Sequence, residues 1–304
     1  MSEPRLQVTA ASRQPILSVI VASAASAEQR GRFFEAISRQ TFAEEEIEWV
    51  IVDSCGTEDT SRMWKTLSLP LGTPLPEMWG AGIAVASGAW IAIMETTCPP
   101  LDNWTTNVMA AIRRGENDIF GGAVDLSLGQ NATGRAAYFC EYAQFMSPLP
   151  CGTATELPGN NVCFRRELLD LAPRFTRGAF WKSYWCGELK SQGIPLLREP
   201  TMIVRFEKSY RFWEFMRRRF HHGRCYGGMR FAPGDRRRII YAAAMPLLLA
   251  LFCLRVAHVV FPKPRLFVSF ATALPVTLLS LIAWVVGEGM GYLRGSGTSC
   301  QRID

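Results

Sequence analysis

Glu48-Trp49-Val50-Ile51-Val52-Asp53 is an unbroken apolar, largely β-branched run that stops on an aspartate. A run without polar alternation marks a strand buried on both faces, as in a parallel sheet covered by helices. Upstream, Ile16-Leu17-Ser18-Val19-Ile20-Val21-Ala22 has the same character. A polar loop from Ser23 to Gln29 joins it to Arg30–Gln40, where Phe33, Phe34 and Ile37 recur at helical spacing. Downstream, Ser54–Thr57 makes a turn, and Asp59-Thr60-Ser61 is expected to cap the next helix. Ala81–Ala86 has helical composition, Gly88 breaks it, and Trp90–Met94 is a third strand that ends in Glu95. Strands alternating with helices predict an α/β domain built on a mostly parallel sheet. Ligands bind beyond the carboxyl ends of such strands, and Asp53 and Glu95 both lie there. Gly-x-Gly-x-x-Gly and P-loop sequences are absent from these turns, which argues against dinucleotide oxidoreductases and nucleotide triphosphatases.

The net charge of +6 over 304 residues is unevenly distributed. Residues 205–238 alone carry +8 and residues 239–304 carry +3, so the first 204 residues are acidic at −5. A local basic belt suits anionic lipid headgroups or phosphate and argues against a nucleic-acid partner. The nine cysteines are scattered without a CxxC pair, so reduced thiols are expected, with neither a zinc site nor a disulfide framework. The first fifteen residues lack an apolar core, and no secretory signal is expected.

Residues 239–261 and 266–287 are each long and apolar enough to cross a bilayer, and Pro262-Lys263-Pro264-Arg265 leaves room only for a tight hairpin. Pro246 and Pro275 are positions for kinks, and a re-entrant hairpin is the alternative to two full spans. Arg236-Arg237-Arg238 before the first span places that end in the cytoplasm. The expected organisation is a polar N-terminus (1–14), an α/β domain (15–204), a basic juxtamembrane segment (205–238), two spans (239–288) and a tail (289–304). In the basic segment, Arg217–Arg219 alternate with Tyr210, Phe212, Trp213, Phe215 and Phe220. That pattern fits an interfacial amphipathic helix, or a helix packed beneath the domain.

Several segments, taken in order, resemble the family-two inverting glycosyltransferases. They are Leu17–Val21, Arg39-Gln40-Thr41-Phe42, Trp49–Asp53 with Ser54–Thr60, Gly82–Gly88, Trp90–Pro99, Glu156–Arg166 and Phe215–Arg224. A subgroup is closer still through Glu95-Thr96-Thr97-Cys98, Cys140-Glu141-Tyr142 and His221-His222-Gly223-Arg224. The resemblance implies a GT-A-like fold and a hexosyltransferase-type enzyme acting in cell-surface or extracellular polysaccharide assembly. Its partners would be a nucleotide-diphosphate sugar, a saccharide or lipid-linked acceptor, and membrane lipids; it would be multi-pass in the inner membrane with a cytoplasmic catalytic domain. It implies that Ser23, Asp53, Glu95 and Thr97 bind the donor. Asn160, Asn161, Arg218, His221, His222 and Arg224 would face the acceptor or diphosphate.

This sequence departs from the family pattern at three chemical positions. The two carboxylates that usually hold a divalent cation, Mg²⁺ or Mn²⁺, are reduced here to Glu95 as a single metal-ligand candidate. The general-base position falls at Trp181-Lys182, and a protonated lysine is no base. A histidine expected after the next strand falls near Phe206. An active enzyme would use Glu188 or Glu141 as its base, with Arg218, Arg219, His221 and Arg224 neutralising the diphosphate. The alternative is a catalytically inactive relative that acts as a binding or scaffold subunit.

Overall fold

A computed structural model describes residues 14–43, 45–56, 64–232 and 234–302. The helix start expected at Asp59-Thr60-Ser61 lies outside these residues. The elements run β1 (Leu17–Ser23), α1 (Ala27–Ser38), β2 (Ile47–Asp53), β3 (Lys65–Ser68), α2 (Leu75–Val85), β4 (Trp90–Glu95), α3 (Trp104–Arg114) and β5 (Ile119–Leu126). They continue α4 (Ala132–Tyr142), β6 (Gly152–Thr153), β7 (Val162–Arg165), α5 (Lys182–Ser191), β8 (Leu197–Phe206) and α6 (Phe212–Arg230). Last come α7 (Arg237–Ala243), α8 (Met245–Val260) and α9 (Pro264–Arg294).

The strands form one sheet in the order β3-β2-β1-β4-β7-β5-β8-β6. The half around β1 is parallel, whereas β7 runs antiparallel to β4 and β5, and β6 antiparallel to β8. Helices cover both faces. Leu17, Val19 and Val21 of β1 enter one core, while Ile20 and Ala22 enter the other. Ser26 caps α1 in a reciprocal box with Gln29, as its position before the apolar-periodic run requires.

A register shift in β5 between Gly121 and Ala123 interrupts its ladder with β8. Asn161 fills the break: its amide donates to the carbonyls of Ala123 (2.9 Å) and Met202 (3.0 Å), and its Oδ1 accepts from Trp104 Nε1 (2.9 Å). A side chain at Gly122 would clash with the Met202 carbonyl 2.0 Å away, so glycine is needed where the strands close on the bulge.

At the amino end of the sheet, Glu48 is tied to Lys65, Ser18 and Ser87. Burial alone raises its pKa, but these hydrogen bonds outweigh burial and bring it down to about 2. A depressed folded pKa contributes stability that is complete above the unfolded carboxylate value and is lost as pH falls towards 2. Thermal unfolding of Glu48→Gln against the native chain is expected to show its largest stability deficit above pH 5. That gap should close progressively on acidification, and a pH-independent gap would contradict the linkage.

The carboxy-terminal helices are part of the body of the protein. Phe270 and Ala273 of α9, with Val256 and Val260 of α8, are buried in the core beneath α4, and the Phe139 and Phe270 rings meet at 5.1 Å. Among the described residues, α9 is long and apolar enough over Leu266–Arg294 to cross a membrane, and Pro275 does not end it. It runs seven residues past the expected end at Gly287, because Glu288 inside it is satisfied by Trp284 Nε1 (2.8 Å) and Tyr292 Oη (2.6 Å). The segment of the first expected span is two helices, α7 and α8, with a 50° bend at Ala244, beside Pro246, whose ring and missing N–H disfavour helix through that turn. This geometry is that of a broken span or a re-entrant element.

α6 packs along the far half of α9. Gly223 and Gly227 of α6 face the carbonyls of Trp284 and Glu288, while Gly287 and Gly291 of α9 face those of Phe220 and Arg224. Two small-xxx-small rows let the backbones approach closely, as in membrane helix pairs. The basic segment is therefore a helix packed against the domain and α9, with Phe215 and Arg219 buried and Trp213 exposed. The chain after α9 folds back on α6, and Cys225 is bonded to Cys300, 75 residues away. The expectation of reduced thiols throughout is corrected here, since only the return of the tail brings these two side chains together.

Candidate functional site

Asp53 and Glu95 flank β1 at one lip of the sheet. Ser23 pairs in register with Asp53, and Ala22 with Glu95, so the two carboxylates stand about two strand spacings, roughly 10 Å, apart. Asp53 is held by Arg30 (3.3 Å) and by the backbone N–H of Cys55 (3.3 Å). Next to Glu95 opens a cavity of about 1120 Å³, bounded by the sheet lip, α4, α5, α6, α8 and α9.

Glu95 forms the floor of this cavity. Burial raises its pKa, and Lys208, with its amine 4.0 Å away, and the Thr97 hydroxyl at 3.1 Å oppose that shift. Burial also opposes the Lys208 charge, but Tyr210 and Glu95 beside it outweigh burial and hold its pKa above the ordinary amine value. Arg218 lies over the Tyr210 ring at 5.3 Å. Arg219 lies over the Trp284 ring at 4.4 Å and 3.5 Å from Glu141. Lys208 thus faces Glu95, while Arg218, paired with Glu214 at 3.1 Å, and Arg219 line the same cavity. His222 lines the same cavity; burial, then Arg219 and Lys208, bring its pKa down to about 3, so it is neutral at physiological pH.

Three buried polar atoms here lack a hydrogen-bond partner among the described residues: Ser23 Oγ, Asn160 Oδ1 and Arg219 Nε. Buried groups without partners are uncommon, and of these Arg219 lines the cavity itself, where a ligand could supply its partner. Asn160 is oriented by donating to Tyr142 Oη (3.0 Å) and Cys98 Sγ (2.8 Å).

The residues singled out in the sequence separate into groups. Glu95, Glu141, Lys182, Glu188, Arg218, Arg219 and His222 line the cavity. Thr97 and Asn160 are buried behind its wall, bonded to Glu95 and Tyr142, whereas Ser23 and Asp53 end β1 and β2 on the same sheet edge and do not line it. Asn161 does not reach it, because its polar groups are engaged within the sheet at the β5 bulge. His221 and Arg224 are on the other side of α6. His221 bonds Ser299 at 3.0 Å and Arg224 donates to the Gly295 carbonyl at 3.2 Å, because the returning tail covers that face. Glu188, at the cavity wall, is paired with Arg174 at 2.9 Å.

Lys182 donates to the Leu157 carbonyl and lies 3.3 Å from Glu156. Burial raises the Glu156 pKa, but Lys182 and hydrogen bonds from Gln144 and Ser183 outweigh it and hold it below the usual value. The buried lysine is thus the counter-ion of a half-buried carboxylate. Lys208 escaped the sequence reading and Tyr210 entered it only as an aromatic of the basic segment, although a signal was present: Lys208 follows by two residues the point near Phe206 where a metal-binding histidine is expected.

The donor set at Glu95 does not suit a tightly held divalent cation. Mg²⁺ and Mn²⁺ favour several oxygen ligands in octahedral array, whereas the second partner of Glu95 here is an ammonium group. Among the described residues, no group of three or more His, Cys, Asp or Glu side chains is placed to hold a metal ion.

No family model and no curated protein matches this chain. Among solved structures, it is similar to the mannosyltransferase PcManGT from Pyrobaculum calidifontis in complex with GDP-Man and Mn²⁺. The TM-score is 0.54 at 16% identity, over 90% of this chain and 87% of that one. The fold is GT-A-like. A crystal structure of S. aureus TarS 1-349 in complex with UDP-GlcNAc also aligns, with 14% identity over 92% of each chain and a TM-score of 0.49. In a GT-A-like sheet, the lip that carries Asp53 and Glu95 is the carboxyl end, where α/β folds place their ligands.

Proposed function

We propose that this protein is a membrane-anchored glycosyltransferase of the inverting, family-two kind, taking a hexose from a nucleotide-diphosphate sugar. The observation that carries the proposal is the apposition of Lys208 to Glu95 at the sheet lip, with Arg218 and Arg219 lining the same cavity. When the sugar leaves, the nucleoside diphosphate gains charge, and preorganised cations in a buried site stabilise that charge without reorganisation. Support for the donor class comes from the GDP-Man complex of the GT-A-like mannosyltransferase. Asp53 and Ser23 are assigned to the nucleoside, Glu95 and Thr97 to holding Lys208 beneath the diphosphate, and Asn160 to the sugar or acceptor. The anchor is α9 with the broken α7–α8 element. The apolar faces of Leu251, Leu254, Leu278 and Ile282 are exposed, as a lipid-facing band would be. The setting is assembly of a surface or extracellular polysaccharide at the cytoplasmic leaflet.

The fixed ammonium at Glu95 takes the place of a bound divalent cation. Turnover of UDP- and GDP-sugars by the full chain in nanodiscs is accordingly expected to change less than about threefold between excess EDTA and millimolar Mn²⁺. Each metal-bridged oxygen is worth several kcal/mol in metal-dependent enzymes, so a collapse of activity in EDTA would refute the assignment. The Lys182–Glu156 pair favours one second reading, a binding subunit that holds the nucleotide-sugar without turning it over. Saturable nucleotide-sugar binding with no hydrolysis or transfer to any acceptor is the result that would select it.

A further inference from the structure

α9 is fastened to the domain at intervals along its whole length. At its start, Lys263 donates to the Met146 carbonyl (2.7 Å). Phe270 meets Phe139, and Ser280 meets Cys140 at 3.0 Å, both on α4. Further on, Gly287 and Gly291 lie against the α6 backbone. Past the helix end, Gly295 accepts from Arg224, and Cys300 is bonded to Cys225. The widest interval between these attachments is Ala271 to Leu279, nine residues or about 14 Å at a rise of 1.5 Å per residue. A hydrocarbon core of about 30 Å needs about 20 residues. A crossing by α9 would therefore carry α4 and α6, with Glu141, Arg219 and Arg224, into hydrocarbon, where charged groups are costly.

α8 does not supply a crossing either. Its 16 residues reach about 24 Å, Arg255 and His258 are exposed on it, and its last residue, Val260, is buried in the domain core. The outer face of the pair is nonetheless apolar. Leu247, Leu251 and Leu254 of α8 and Phe267, Leu278 and Ile282 of α9 are all exposed. On α9 this exposed row runs opposite a buried one, Phe270, Ala273, Thr277, Ser280 and Glu288, which recurs at helical spacing. Exposed cations rim the band: Arg236 and Arg237 lead into α7, and Arg294 ends α9. An apolar face edged by cations and lying along the body of a domain fits the headgroup and upper acyl layer of one leaflet.

We propose that α7, α8 and α9 form a monotopic anchor that lies flat in a single anionic leaflet, with the hairpin tip at Pro262 on the same side of the membrane as the domain. This goes beyond the membrane attachment of the proposed transferase by fixing its depth and sidedness, and it rests on that attachment and not on the donor chemistry. The apolar band sits among the upper acyl chains, and Arg236, Arg237 and Arg294 meet lipid phosphates. At this depth Arg255, whose place in mid-bilayer would be costly, reaches the headgroup layer along its apolar stem.

The test reconstitutes the full chain in sealed vesicles of phosphatidylcholine with phosphatidylglycerol, oriented so that the exposed Cys151 of the domain reacts with a membrane-impermeant maleimide added outside. Pro262→Cys, and Phe261→Cys as a second tip position, are expected to be labelled from that same side to within twofold of Cys151. A tip thiol that reacts only after detergent is added would mark a spanning hairpin and overturn the proposal. In vesicle flotation, Leu251→Glu combined with Leu278→Glu is expected to lower bound protein at least tenfold. Leu171→Glu, at an exposed apolar side chain elsewhere on the domain, is expected to change it less than twofold. Retention on phosphatidylcholine alone is expected to be at least threefold weaker. Unchanged flotation of the double variant would displace the band, and a detergent-free dimer that does not float would put a second copy of the chain there. Equal retention on both lipids would remove the anionic leaflet. Each of these overturns the proposal. UDP and GDP binding separates it from the transferase assignment. A chain that floats with its tip labelled but binds neither nucleotide overturns that assignment alone, and one that binds nucleotide with a protected tip overturns the monotopic anchor alone.

Discussion

Lys208→Met is expected to lower sugar transfer by about 100- to 1,000-fold, the loss seen when one preorganised donor is removed from a developing anion. The effect should fall on kcat more than on nucleotide affinity, because Arg218 and Arg219 remain on the cavity wall, where the proposed transferase would use them for the ground-state diphosphate. The substitution also leaves Glu95 buried without its cation, and a buried carboxylate in that position favours its neutral form. Lys208→Arg retains charge but not shape and is expected to recover part of the rate. Steady-state kinetics on the best UDP- or GDP-sugar, paired with nucleotide binding, separates the two effects. A Lys208→Met protein with native turnover would remove the central assignment.

Gly287→Leu is expected to be the most damaging change outside the cavity. A Cβ at Gly287 would lie 2.1 Å from the Phe220 carbonyl oxygen and 3.1 Å from the Arg224 amide nitrogen, both backbone atoms that cannot rotate away. The helices must part, at a cost of about 3 kcal/mol, towards the upper end for overpacking. Displacing α6 also moves Arg218, Arg219 and His222 off the cavity wall, and a shift of about 1 Å at a reacting site costs roughly 100-fold in rate. Gly289→Leu is the control, because its Cβ meets only the Met245 side chain at 3.4 Å. Thermal unfolding in detergent should show a drop of at least about 5 °C for the first and a much smaller one for the second. Equal behaviour would mean that the α6–α9 seam is not close-packed.

The seam also shows where the sequence was hard to interpret. Gly223, Gly227, Gly287 and Gly291 are ordinary glycines until two helices, some sixty residues apart, are known to cross there. For the same reason Cys225 and Cys300 gave no sign of pairing, and the second span is expected to end at Gly287, one residue before Glu288, rather than to continue to Arg294.

The three strands Leu17–Ser23, Ile47–Asp53 and Trp90–Glu95, and hence the shared lip of Asp53 and Glu95, were determined by the sequence alone. Apolar runs buried on both faces admit few alternatives, and short connections make such strands neighbours. The tertiary structure alone decided which polar groups meet there. Asn160 and Asn161 are adjacent in sequence, yet one is aimed at the lip and the other seals a bulge. His221 and His222 are equally adjacent but occupy opposite faces of one helix. Lys208 reaches Glu95 across more than a hundred residues of chain. Local periodicity fixes which face of an element a residue occupies, but only the packing of one element on another fixes what that face meets.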